Sequence, residues 1–154
     1  MREEIQKSCE PILQFLQGKN ITPSLARELS SRFPKGSELL KEIERLCQQG
    51  LSENTLKMRG SPELRFGRIQ KPSDHSSFSI DIVMMSSKGP GHTHPNGEVD
   101  LCFPQDSTAL FDGQSDSWVV YEPSSWHEPT VTEGTMIILY FLPEGSIRFE
   151  TKPS

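Results

Sequence analysis

The chain is predicted to be mainly β, a sandwich or small barrel of the jelly-roll kind, led by a helical N-terminal segment. Two features of the sequence predict this. Apolar residues recur at three- and four-residue steps up to residue 50 and at two-residue steps from residue 63, a change from helical to strand periodicity. Beyond that change, short apolar runs alternate with Gly- and Pro-containing turns, as they do in all-β sandwiches and barrels. A length of 154 residues suits one domain with an appendage, read here as a helical segment over 1–55 and a β-barrel domain over 60–154.

Ile5, Cys9, Ile12, Leu13 and Leu16 line one face of a first helix. Pro11 lies inside that pattern and predicts a kink or a break, because proline removes a helical hydrogen bond. Gly18 and Asn20 end the helix. Thr22 is expected to cap a second helix, with Pro23 at its first position and Leu25 and Leu29 facing inward. Phe33-Pro34-Lys35-Gly36 breaks it, and Ser37 caps a third helix that carries Leu39, Leu40, Ile43 and Leu46 and ends at Gly50. These helices gather no chemistry-bearing side chains, so they read as a cap on the sheet or on a partner subunit.

Phe78, Ile80, Ile82 and Met84 alternate with Ser79, Asp81, Val83 and Met85, which predicts a strand with one firmly buried face. Further strands are expected around His92 and over 98–103, 109–111, 118–121, 127–131, 135–142 and 147–150. Turn chemistry separates them, at Pro95-Asn96-Gly97, Asp112-Gly113, Glu133-Gly134 and Pro143-Glu144-Gly145 among others.

A net charge of -5 argues against a nucleic-acid partner. No apolar run is long enough for a membrane helix, and the N-terminus has no secretory core, so a cytoplasmic protein is expected. Cys9, Cys47 and Cys102 are odd in number and follow no disulfide spacing; they read as reduced thiols.

The chemistry concentrates in Gly91-His92-Thr93-His94-Pro95-Asn96-Gly97-Glu98-Val99-Asp100 and, later, His127. His92 and His94 leave the same face of an extended strand. The turn at 95–97 brings Glu98 back beside them. Three imidazoles and a carboxylate suit a divalent metal ion, with Fe, Mn, Zn or Ni the candidates. Counting by two from Glu98, Asp100 and Cys102 share its face. Asp100 is therefore a candidate acid/base group or a partner of a metal-bound imidazole, unless an arginine elsewhere pairs with it. Cys102 reads as a small core residue. Tyr121 and Trp126, with Trp118, either flank a flat ligand at the barrel mouth or pack in the core. Arg65 and Arg68 lie on the first long strand, where one of them can meet a substrate carboxylate bidentately. His75 sits in a polar loop and reads as solvated.

The ligand set resembles the cupin family, whose first motif carries two histidines one residue apart and a following glutamate. Its second motif adds a histidine from a later strand. His92, His94 and Glu98 fit the first, and His127, preceded by Pro123, fits the second. The framing positions depart: Ser86 and Gln105 stand where glycines are usual, as does Ser125. The resemblance implies a cupin-type jelly-roll barrel and a homodimer. A narrower resemblance, to the 4-hydroxylaminobenzoate lyases, is carried by Leu64-Arg65-Phe66-Gly67-Arg68, Phe78-Ser79-Ile80-Asp81, the His92–Leu101 run, Phe111-Asp112-Gly113 and Leu139-Tyr140-Phe141-Leu142-Pro143. It implies conversion of 4-hydroxylaminobenzoate and water to 3,4-dihydroxybenzoate and ammonia, a step in nitroaromatic degradation. In that reading Glu98 and Asp100 move protons, and the partner is a small aromatic substrate. Two other functions share the ligand set: a metal-dependent cupin dioxygenase or isomerase acting on a small polar or phenolic molecule, and a non-catalytic small-molecule-binding cupin.

Overall fold

A computed structural model describes residues 1–154. Three helices, α1 (Arg2–Leu16), α2 (Leu25–Arg32) and α3 (Glu38–Ser52), precede eleven strands. These are β1 (Arg59–Ser61), β2 (Leu64–Gln70), β3 (Phe78–Met85), β4 (His92–His94), β5 (Glu98–Pro104), β6 (Leu110–Phe111), β7 (Trp118–Tyr121), β8 (Ser125–His127), β9 (Val131–Thr132), β10 (Met136–Pro143) and β11 (Arg148–Phe149).

Helix α1 runs unbroken through Pro11, where a kink or break was expected. Pro11 and Lys7 are both exposed, so the carbonyl that proline leaves without a helical partner faces water. Ile5, Cys9, Ile12 and Leu16 are buried on the opposite side. Helix α2 begins at Leu25, later than a cap at Thr22 implies. Pro23 and Ser24 instead form a lead-in turn, with the Leu25 N–H donating to the Thr22 carbonyl at 2.9 Å. Ser37 does cap α3, its hydroxyl accepting from the Leu40 N–H at 3.4 Å. The helix continues past Gly50, because that glycine serves close packing and not termination. A Cβ there would lie 2.7 Å from Leu56 Cδ1 and 2.9 Å from Met1 Cγ.

The strands form an antiparallel six-stranded sheet in the order β1-β2-β3-β10-β5-β7, a three-stranded sheet β11-β4-β8 and a two-stranded pair β6-β9. The large sheet is buried on both faces, which corrects the expectation of one buried face for β3. On its outer face Ile80, Ile82, Val99, Leu101, Ile137, Leu139 and Phe141 join Ile5, Ile12, Leu29 and Ile43 in one helix–sheet core. On its inner face Val83, Met85, Cys102, Val119, Ile138 and Tyr140 pack with Phe111 and Val131 inside the jelly roll. This double burial is why Met136–Leu142 reads as a continuous apolar run and not as an alternation. Trp118 ties the two layers together, its indole N–H donating to the Phe33 carbonyl at 2.9 Å. No helix is long and apolar enough to cross a membrane.

Candidate metal centre and active site

Strand β4 is paired on one side with β8, in the register His92↔His127 and His94↔Ser125. Directly opposed residues of an antiparallel pair share a face, so His92, His94 and His127 project together into the barrel. The turn after His94 closes with the Gly97 N–H donating to the His94 carbonyl at 3.2 Å. Gly97 has φ +92°, and a Cβ there would meet Ile21 Cγ2 at 2.6 Å, so only glycine fits. The chain reverses and delivers Glu98 beneath the imidazoles.

Glu98 lies with Oε1 3.3 Å from His92 Nε2 and 3.4 Å from His94 Nε2, and Oε2 3.5 Å from His127 Nε2. His92 and His127 Nε2 are 3.0 Å apart. The other ring nitrogens show which lone pairs are free. His92 Nδ1 faces the Pro90 carbonyl at 3.3 Å, an acceptor only. His127 Nδ1 faces the Asp112 carboxylate at 2.7 Å. His94 Nδ1 faces the Ser125 hydroxyl at 2.9 Å, whose proton is committed to the Glu122 carbonyl at 2.5 Å. All three Nδ1 positions therefore donate, which turns all three Nε2 atoms toward Glu98.

Three imidazole nitrogens and one carboxylate directed at one point could hold a cation. The four ligand atoms lie within 4.8 Å of one another. His94 Nε2 and both Glu98 oxygens are buried without a hydrogen-bond partner. Nitrogen and carboxylate ligands of this number suit a transition-metal ion or zinc, and the residues fit the group that the fold implies. Burial opposes ionisation of Glu98, but the facing rings of His127, His92 and His94, with Asp100 beside them, outweigh it and hold the carboxyl well below its usual range. Burial likewise pulls His127 down, yet Asp112 and Glu98 overcome it and hold the imidazole up at about 9.

Asp100 shares the inner face with Glu98 and is fully buried, and neither of its oxygens has a hydrogen-bond partner. Burial and then the charge of Glu98 push its carboxyl well above the usual range. No arginine pairs with it. Tyr121, opposite Glu98 in the register, stacks on His94 with ring centroids 5.3 Å apart and lies 4.1 Å from the His127 ring. Arg68 sits on the inner face of β2, opposite Asp81 and bonded to it at 2.5 Å.

Two predicted residues lie elsewhere. Arg65 is opposite Met84 on the outer, helix-facing side of the sheet, with Nη2 3.2 Å from Met84 Sδ. Trp126 is opposite Thr93, so strand alternation turns it away from the barrel interior that His127 faces. Its indole lies over Gly91 and donates to the Glu150 carbonyl at 2.9 Å. His75 is exposed, as expected.

Asp112 is the site residue that the sequence reading missed. One carboxylate oxygen accepts from both His127 Nδ1 and the Tyr121 hydroxyl, and the other accepts from the Thr130 N–H at 2.8 Å. Asp112 has φ +49°, so Asp112-Gly113 is a tight turn, as its residue types suggest. Nothing local indicates that the side chain reaches back to a histidine fifteen residues later. Ser125, where cupins usually carry glycine, is explained by its bond to His94.

A jelly roll whose interior gathers three histidines and a glutamate in this way is a cupin-type barrel. The RmlC-like cupin from Ralstonia eutropha JMP134 superposes with a TM-score of 0.43 at 15% identity, over 60% of this chain and 62% of that one. The DMSP lyase DddQ from Ruegeria pomeroyi DSS-3 superposes with a TM-score of 0.49 at 11% identity, over 96% and 95%. Likeness at that level says nothing of activity. The sequence model of the 4-hydroxylaminobenzoate lyase (PnbB) family matches residues 7–149, and the chain belongs to that family. It is 29% identical to the 4-hydroxylaminobenzoate lyase of Pseudomonas putida, over 97% of this chain and 96% of that protein. It is 28% identical to the lyase of the same name from Nocardioides sp. (strain LMS-CY), over 93% and 91%.

Proposed function

We propose that this protein is an ammonia-releasing lyase that converts 4-hydroxylaminobenzoate, or a closely related hydroxylamino-aromatic acid, and water to 3,4-dihydroxybenzoate and ammonia. One observation carries the reading: three imidazoles and Glu98 converge inside the barrel of a chain matched by this family over 7–149. The reaction balances without an oxidant. The N–O bond breaks with its electron pair leaving on oxygen, and a proton makes the leaving group water. A water then adds to the ring carbon beside the one bearing nitrogen and gives up a proton. A second water hydrolyses the resulting imine, releasing ammonia, and loss of the ring proton restores aromaticity.

Asp100 would give the first proton and recover it from the water that adds. It is buried beside Glu98, with no partner to compete for its proton. His92, His94, Glu98 and His127 are the residues that would hold a divalent ion, which as a Lewis acid polarises oxygen and eases ionisation of water. Tyr121, stacked on His94, flanks the centre on one side. Arg68, ion-paired to Asp81 on the inner face of β2, would exchange that partner for a carboxylate on the far end of the ring.

The test is an anaerobic incubation of purified protein with 4-hydroxylaminobenzoate. Equal amounts of 3,4-dihydroxybenzoate and ammonia are expected, at a rate indifferent to oxygen. In D100N, turnover should fall by about two to four orders of magnitude while metal content is kept. Product that forms only with oxygen would move the protein to the dioxygenases; binding without turnover would make it a storage cupin.

A further inference from the structure

Two large hydrophobic side chains are exposed, Phe66 at 48% and Phe149 at 63%. Phe149 is exposed but not loose. The next residue, Glu150, is held at three points: its N–H donates to the Gly91 carbonyl at 3.1 Å, its carbonyl accepts from the Trp126 indole at 2.9 Å, and its carboxylate accepts from the Thr93 hydroxyl at 2.5 Å. Gly91 allows this because a Cβ there would lie 2.5 Å from Trp126 Cζ2. The outer side of the small sheet is thus a latch on β11. The register Phe149↔His92 then sets the phenyl on the inner side, with ring centroids 5.7 Å apart at 72°.

The sheet order shows what Phe149 overlooks. The His92 ring is 6.5 Å from Tyr140 of β10, and His127 meets Glu98 of β5 and Tyr121 of β7. Strand β4 therefore crosses above β10 and β5, with His94 reaching Tyr121 of β7, and β8 lies over β5 and β7. That leaves β11, on the other side of β4, facing β3 and β2. The inner-face residues there include Asp81, Val83 and Met85 of β3 and, on β2, Arg68 and Phe66. From β5 to β2 is three strand spacings, roughly 14 Å, which a para-substituted benzoate and an arginine side chain span together.

We propose that the gap between β11 and β2 admits a flat aromatic acid and that Phe149 is the wall on which its ring stacks, holding the para substituent at the His/Glu centre and the carboxylate toward Arg68. This deepens the lyase reading and rests on it. A phenyl carried on an anchored backbone gains both burial and offset stacking when a ring covers it.

The experiment is calorimetric titration of the metal-loaded protein with 4-hydroxybenzoate, and with cyclohexanecarboxylate as a non-aromatic control. F149A and F149L are expected to weaken 4-hydroxybenzoate about tenfold, with F149Y within about threefold of wild type. Metal content should not change, and the control acid should lose less than the aromatic one. Equal affinity in wild type and F149A would overturn the role of Phe149 and leave the lyase reading standing. Failure of wild type to bind any benzoate would overturn both. A change in oligomeric state in F149A and F149L, with benzoate affinity kept, would make Phe149 a subunit contact and overturn the inference.

Discussion

Asp112 shows how one side chain can set the chemistry of another. A neutral imidazole has two tautomers, and only the one protonated at Nδ1 leaves Nε2 free to bind a metal. His127 meets the Asp112 carboxylate on its Nδ1 side, so that tautomer is imposed. The same oxygen accepts from the Tyr121 hydroxyl, which steadies the ring that stacks on His94. D112N keeps the shape but lets an amide N–H face His127, and the tautomer preference weakens. Metal affinity, measured by competition with a chelator, should fall about 10- to 100-fold, the usual effect of losing a partner behind a metal ligand. Y121F removes one of the bonds to the same oxygen and leaves the imidazole its acceptor, so its loss should be several times smaller. Equal losses in the two variants would mean that Asp112 acts through Tyr121 and not through His127.

At the scale of elements, local periodicity tells most where burial is one-sided. The helical faces of α1 and α3 and the Ser37 cap were legible because each depends on residues within a turn or two of one another. Glu98 and the two nearer histidines were legible for the same reason: one strand and one tight turn bring them together. Which way Trp126 and Arg65 point depends on pairing with Thr93 and Met84, distant partners that no local pattern names. The double burial of β3 was hidden likewise, since the helices that cover its outer face lie more than twenty-five residues away in the chain. Pro11 misled for a different reason. Tertiary packing of Ile5, Cys9, Ile12 and Leu16 holds α1 through a residue that disfavours helix by about 3 kcal/mol. Restoring the lost hydrogen bond at that exposed position should therefore help. P11A is expected to raise unfolding stability by about 1–3 kcal/mol in a urea titration, with activity unchanged. Loss of stability in P11A would mean that the ring itself is needed for the packing of α1.

Across the whole molecule, the centre is where folding and ion binding meet. The large sheet is held on its outer face by the helices and on its inner face by the barrel core, so it positions Glu98 and Asp100 on a stiff floor. The groups placed there respond to pH in opposite ways with and without an ion. In metal-free protein His127 is raised from 6.5 to about 9. A raised histidine stabilises the fold fully below about 6.5, and that contribution is lost as pH climbs through about 9. Asp100, also raised, pushes in the same direction: its stabilisation belongs to the protonated form and disappears as pH rises through its folded value. Chelated protein should therefore melt at progressively lower temperature from pH 6 to pH 9. A bound ion replaces those protons, so its affinity rises over the same interval, and binding adds stability as RT ln(1 + [L]/Kd), about 2.7 kcal/mol at a hundredfold excess over Kd. The difference in Tm between loaded and chelated protein is thus expected to widen steadily with pH in a scanning-calorimetry series at fixed free metal. A difference that stays constant from pH 6 to pH 9 would show that His127 carries no extra proton in the empty centre, and that its Nε2 meets Glu98 some other way.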